Sequence, residues 1–149
     1  MSINVFLILR IILGGIFIVS GVEKAASPVE NFIYVLQAYK IVPSGSEAFI
    51  AAAFPWFELL TGIFMITGLW LVWVLRASML LNGALMIVVG QAIIRKLPIN
   101  DCGCFGNLVH WPLQGVFFLD LAMFLTAFLC LKNRTKASAW SLDMLYGKN

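Results

Sequence analysis

The segment Cys102-Gly103-Cys104-Phe105-Gly106 sets two of the chain's three cysteines one residue apart, in a short polar stretch between two long apolar runs. A disulfide across Cys-x-Cys closes a small ring whose strain makes it easier to reduce than a structural disulfide, so the spacing points to electron exchange. Gly103 and Gly106 permit sharp turns, and Phe105 is placed to hold the loop against the protein by burying its ring. Two other chemistries use the same atoms. One is a static disulfide; the other adds His110 as a third ligand for zinc or copper. No second cysteine pair completes a closed metal site, and His110-Trp111-Pro112 reads as the wet end of a helix. No metal is therefore assigned, and Cys102 and Cys104 are taken as the catalytic pair. Cys130, about a membrane thickness away, reads as a small buried apolar residue.

The elements that must hold this pair are membrane helices. Of 149 residues, 62% are hydrophobic and only 11% charged, too apolar a balance for a soluble domain of this length. The net charge of +3 is small, and the basic residues form no patch interleaved with aromatics, which excludes nucleic acid as a partner. Four apolar runs reach the roughly 20 residues that a bilayer-spanning helix needs, at about 5–22, 48–74, 77–94 and 111–131. Leu75 and Arg76 are the only residues between the second and third, so a tight turn is expected there. The first run has no basic side chain before Arg10, which itself interrupts the apolar core, so it is read as a retained helix rather than a cleaved signal.

Between the first two runs, Ser27-Pro28-Val29-Glu30 has the form of a capping box with proline at the first helical position. Phe32, Val35, Leu36 and Tyr39 follow at helical spacing, predicting a short amphipathic helix over about 28–40 that lies at the interface. A second box, Ser44-Gly45-Ser46-Glu47, opens the second span. The expected fold is thus all-α: an integral membrane four-helix bundle of up-down topology with one interfacial helix, in a single domain over 1–149. Loop charges orient it. Lys132, Arg134 and Lys136 cluster just after the last span, which favours cytoplasmic termini, a cytoplasmic tail over about 132–149 and an extracytoplasmic CGCFG loop. An oxidised cysteine pair is stable on that side.

Arg10, Glu58 and Asp120 each interrupt an apolar run, and ionisable groups within a bilayer are costly unless they pair or serve a pathway. Counted from the outer helix ends, they and Asn82 fall about 8 to 11 residues deep, or roughly 12 to 17 Å. One buried polar cluster is expected, in which Arg10 bridges Glu58, Asp120 or both and Asn82 completes the hydrogen bonds. Such a cluster serves either to fix helix register or to relay protons and wall a quinone headgroup. Lys24, Arg95 and Lys96, near the cysteine pair in this reading, are candidates to stabilise a thiolate.

These residues resemble a known family. Arg10, Gly14, Phe17, Ser20, Gly21 and Lys24, then Pro55, Glu58 and Gly62, then Cys102-Gly103-Cys104-Phe105-Gly106, look like the pattern of the MauE branch of the DoxX-like membrane proteins, over nearly the whole chain. The resemblance implies a redox-associated four-helix protein of a bacterial-type inner membrane, linked in methylamine utilisation with a thioredoxin-like partner and with maturation of a disulfide-rich dehydrogenase subunit. The leading expectation is a membrane thiol–disulfide oxidoreductase, with a quinone as the candidate cofactor that finishes the electron circuit. Two alternatives stand beside it: a non-enzymatic anchor for a thioredoxin-like protein, and a transporter for a small sulfur compound or a metal.

Overall fold

Apolar length alone dictates the main elements, and a computed structural model, which describes residues 5–39, 43, 45–96, 112–138 and 141–142, shows how they assemble. The helices are α1 (Val5–Ala26), α2 (Val29–Tyr39), α3 (Glu47–Thr67), α4 (Leu71–Ile94), α5 (Leu113–Lys132) and α6 (Arg134–Ala137). Among the described residues all regular structure is helical. α1, α3, α4 and α5 are each long and apolar enough to cross a membrane. Their exposed side chains include Ile8, Ile12, Trp56, Phe57, Leu80, Ile87 and Phe118, while Arg10, Lys24, Glu58, Asn82 and Asp120 are buried. Polar groups inside and apolar ones outside are what a lipid solvent selects.

Two helix boundaries differ from the hydropathy reading. α1 does not stop at Val22 but continues through Glu23 and Lys24 to Ala26, and the Ser27 amide closes its last turn on the Glu23 carbonyl at 3.0 Å. The break between the second and third spans falls at Gly68–Trp70 rather than at Leu75 and Arg76. Gly68 is left-handed (φ 69°), and its own amide and that of Leu69 both reach the Phe64 carbonyl, which ends α3. Arg76 lies inside α4, exposed, with its guanidinium 5.4 Å from the Trp73 ring centre.

The expected capping boxes form differently. Ser27 turns its hydroxyl to Glu23 at 3.5 Å, and Ser46, the N-cap of α3, donates to the Pro43 carbonyl at 2.8 Å. Glu47 reaches back to accept from the Gly45 amide at 2.6 Å. α2 folds over the start of α3, with Phe32 and Phe54 rings 5.6 Å apart, Tyr39 buried and Tyr34 exposed.

The bundle is two closely packed antiparallel pairs, α1 with α3 and α4 with α5. Between apolar helices in lipid, close backbone approach replaces the hydrophobic drive, so small residues set the contact. A Cβ on Gly62 would lie 2.7 Å from the Gly14 carbonyl oxygen, and one on Gly21 would lie 2.9 Å from that of Pro55. At the opposite end from α2, α6 folds back beneath the bundle. Ala137 and Ser141 are buried there, and Gly68 leaves room for Ser141 that a Cβ would fill.

Candidate functional site

The antiparallel contact of α1 and α3 brings three polar side chains together. Ser20 and Lys24 are one helical turn apart on the face of α1 that meets α3, where Glu58 projects between them. Lys24 Nζ donates to Glu58 Oε2 at 2.8 Å and to Oε1 at 3.1 Å, and to Ser20 Oγ at 2.5 Å. Ser20 Oγ lies 3.2 and 3.3 Å from the two carboxylate oxygens. The side chains of Lys24 and Glu58 are only 3% and 4% exposed. A bidentate, doubly hydrogen-bonded geometry is what a buried ion pair needs to offset the loss of water.

Glu58 borders two spaces. On one side, α2 roofs a cleft of about 500 Å³, counting its open mouth, whose walls come from α2, α3 and α4 and are almost wholly apolar. Phe32, Leu36, Phe54, Leu85 and Val89 form the walls, and Lys24 and Glu58 supply polar groups. On the other side, a small chamber between the two helix pairs is lined by Ser20, Glu58, Asn82 and Asp120 among apolar neighbours. Asn82 is 1% and Asp120 5% exposed, yet Asn82 Nδ2 and Asp120 Oδ2 make no hydrogen bond to any described residue.

Glu58, Asn82 and Asp120 therefore share one chamber, but the expected bridge from Arg10 does not form there, and Lys24 takes its place beside Glu58. Arg10 is about 15 Å along α1 from Ser20. Its Nη1 donates to the Ala137 carbonyl at 2.7 Å and its Nη2 to that of Ile66 at 3.3 Å, so it clamps the ends of α6 and α3 where helix dipoles favour a cation. The misplacement has a plain cause: ending α1 at Val22 made Arg10 look a full turn shallower than it is. Lys24 is an interior residue rather than a loop cation, and Ser20 completes its hydrogen bonding; the Ser20/Lys24 spacing of four was the signal for both. Arg95 and Lys96 are exposed at the end of α4. Cys102, Gly103, Cys104, Phe105 and Gly106, with His110, lie outside the described residues. Cys130 is fully buried in the core, its Sγ 3.8 Å from the Phe6 carbonyl. Among the described residues no group of three or more His, Cys, Asp or Glu is arranged to hold a metal.

Fold and site together define a multi-pass, four-helix membrane protein with an ion pair buried between its first two spans. A family model described as methylamine utilisation protein MauE matches residues 3–132, and the chain belongs to that family. Neither the curated proteins nor the solved structures contain a match.

Proposed function

We propose that the protein is a membrane thiol–disulfide oxidoreductase of methylamine utilisation, exchanging electrons through Cys102 and Cys104 with a thioredoxin-like partner in support of disulfide formation or maturation of exported proteins. The observation that carries this reading is family membership in a chain whose Cys-x-Cys segment falls, in sequence, between α4 and α5. The clustered cations after α5 favour cytoplasmic termini in a bacterial-type inner membrane, with the cysteines on the extracytoplasmic side.

In the exchange, a partner thiolate attacks one sulfur of the Cys102–Cys104 disulfide, forming a mixed disulfide and releasing the other cysteine as a thiolate. The partner's second thiolate displaces the first, leaving an oxidised partner and a reduced Cys102/Cys104 pair. Arg95 and Lys96, at the start of the segment, stabilise the released thiolate. Reoxidising the pair removes two electrons and two protons. A quinone would supply an acceptor for both, and the α2-roofed cleft supports this reading with apolar walls suited to a ring and tail and with Lys24 and Glu58 at its edge.

The test is trapping. A Cys104→Ser or Cys102→Ser variant, expressed in a host lacking its own copy, accumulates a mixed disulfide with a thioredoxin-like protein and fails to support growth on methylamine. Full growth of both variants with no trapped partner would replace this reading with that of an anchor bearing a fixed disulfide.

A further inference from the structure

The small chamber between the helix pairs holds two buried polar atoms that no described residue satisfies. It presents a donor, Asn82 Nδ2, and an acceptor, Asp120 Oδ2, both buried and both without a partner among the described residues. Each such group left unsatisfied costs about 1–3 kcal/mol. A metal cation satisfies Asp120 but is opposed by the Asn82 N–H and by Lys24. An anion is opposed by Asp120 and Glu58. A proton on Asp120 leaves Asn82 unsatisfied. Water donates and accepts at once, and the cavity of about 20 Å³ exceeds the roughly 10–15 Å³ that one molecule needs.

We propose that this chamber binds one water, which accepts from Asn82, donates to Asp120 and donates again to the Ser20–Glu58 pair, completing a proton path from Asp120 to Lys24. Glu58 has one lone pair for this: its two oxygens accept four hydrogen bonds, and two Lys24 N–H groups with the single Ser20 O–H fill three. The path opens at Lys24 into the α2-roofed cleft. Its other end, Asp120, lies seven residues into α5, about 10 Å from the helix start to which the cysteine segment connects. The use of the path rests on the oxidoreductase reading; the water does not. Oxidation of the Cys102/Cys104 dithiol to the disulfide releases two protons and two electrons, and a quinone in the cleft takes up both pairs to become the quinol. One proton enters at Asp120 for each that Lys24 gives to an acceptor oxygen in the cleft, the second reaches the other acceptor oxygen directly, and the residues of the path end as they began.

The full-length protein in lipid nanodiscs is measured by infrared difference spectroscopy between H₂¹⁶O and H₂¹⁸O. An isotope-shifted O–H stretch from a buried water is expected in the native protein, lost in Asn82→Leu, which fills the chamber and removes the donor, and moved in the isosteric Asp120→Asn. No such band in the native protein, or an unchanged band in both variants, overturns the water site. In parallel, reduced Asp120→Asn transfers electrons to a soluble quinone at least 10-fold more slowly than native, with the potential of the cysteine pair unchanged; an equal rate overturns the path. Absence of any thiol exchange by the native protein would instead overturn the oxidoreductase reading and leave the water band standing.

Discussion

Replacing Lys24 with methionine tests the buried ion pair by nearly conserving volume while deleting its charge. In the native protein the ammonium contacts both Glu58 oxygens and the Ser20 hydroxyl, and both side chains of the pair are at least 96% buried. Lys24→Met leaves the Glu58 carboxylate in an apolar surround with Ser20 still donating to it. Removing one partner of a buried pair costs about 3–5 kcal/mol, whereas replacing both by apolar residues is often near neutral. Lys24→Met is therefore expected to lose about 3–5 kcal/mol, and Lys24→Met/Glu58→Leu to regain most of it. The coupling is read from a double-mutant cycle by equilibrium unfolding in mixed micelles, followed by the fluorescence of the chain's five tryptophans. A Lys24→Met variant within about 0.5 kcal/mol of native, with no coupling to Glu58, would refute the pairing and return Lys24 to the loop role that its sequence position suggests.

Gly62→Ala puts a Cβ 2.7 Å from the Gly14 carbonyl oxygen and is expected to destabilise by about 1–3 kcal/mol in the same unfolding assay, whereas Gly15→Ala, whose Cβ meets nothing within 4 Å, is expected to be tolerated. Arg10→Met removes donors to the Ala137 and Ile66 carbonyls, each charge-assisted bond being worth about 1.5–3 kcal/mol; limited proteolysis should then cut the chain after α6 faster than in the native protein, with partner trapping at Cys104→Ser retained. In intact spheroplasts, a membrane-impermeant maleimide should label reduced Cys102 and Cys104 but not the fully buried Cys130; labelling of Cys130 alone would contradict both its burial and the proposed orientation.

Run length makes the four spans legible, because only a continuous apolar stretch satisfies a bilayer, and the helical spacing of Phe32, Val35, Leu36 and Tyr39 does the same for α2. Run length does not locate the α3–α4 turn. Gly68 and Trp70 sit inside one apolar run that carries no charge, so the chain reverses without a polar break, and only glycine's tolerance of the left-handed conformation marks the place. Charge misled in the opposite sense. Glu23 and Lys24 resemble the polar end of a span, yet a charge paired across a helix interface is hidden from the lipid and lets the helix continue. An end at Val22 puts Arg10 at the depth of Glu58, whereas its guanidinium serves the ends of α3 and α6. Glu58, Asn82 and Asp120 were found by a simpler rule, that a polar residue inside an apolar run turns inward, and this holds without knowing its partner. The return of α6 beneath the bundle left no trace in pattern, since Arg134 and Lys136 read as tail charges while the buried Ala137 between them and Ser141 is too small to register.

Whether Cys102 and Cys104 form a working redox pair is decided by the reduction potential of that pair in the purified, lipid-reconstituted protein. Equilibration against glutathione and dithiothreitol buffers, with the redox state read by alkylation and mass, should give a potential above about −300 mV, within the range of exchanging disulfides. A value below about −300 mV would mark a structural disulfide and contradict the account.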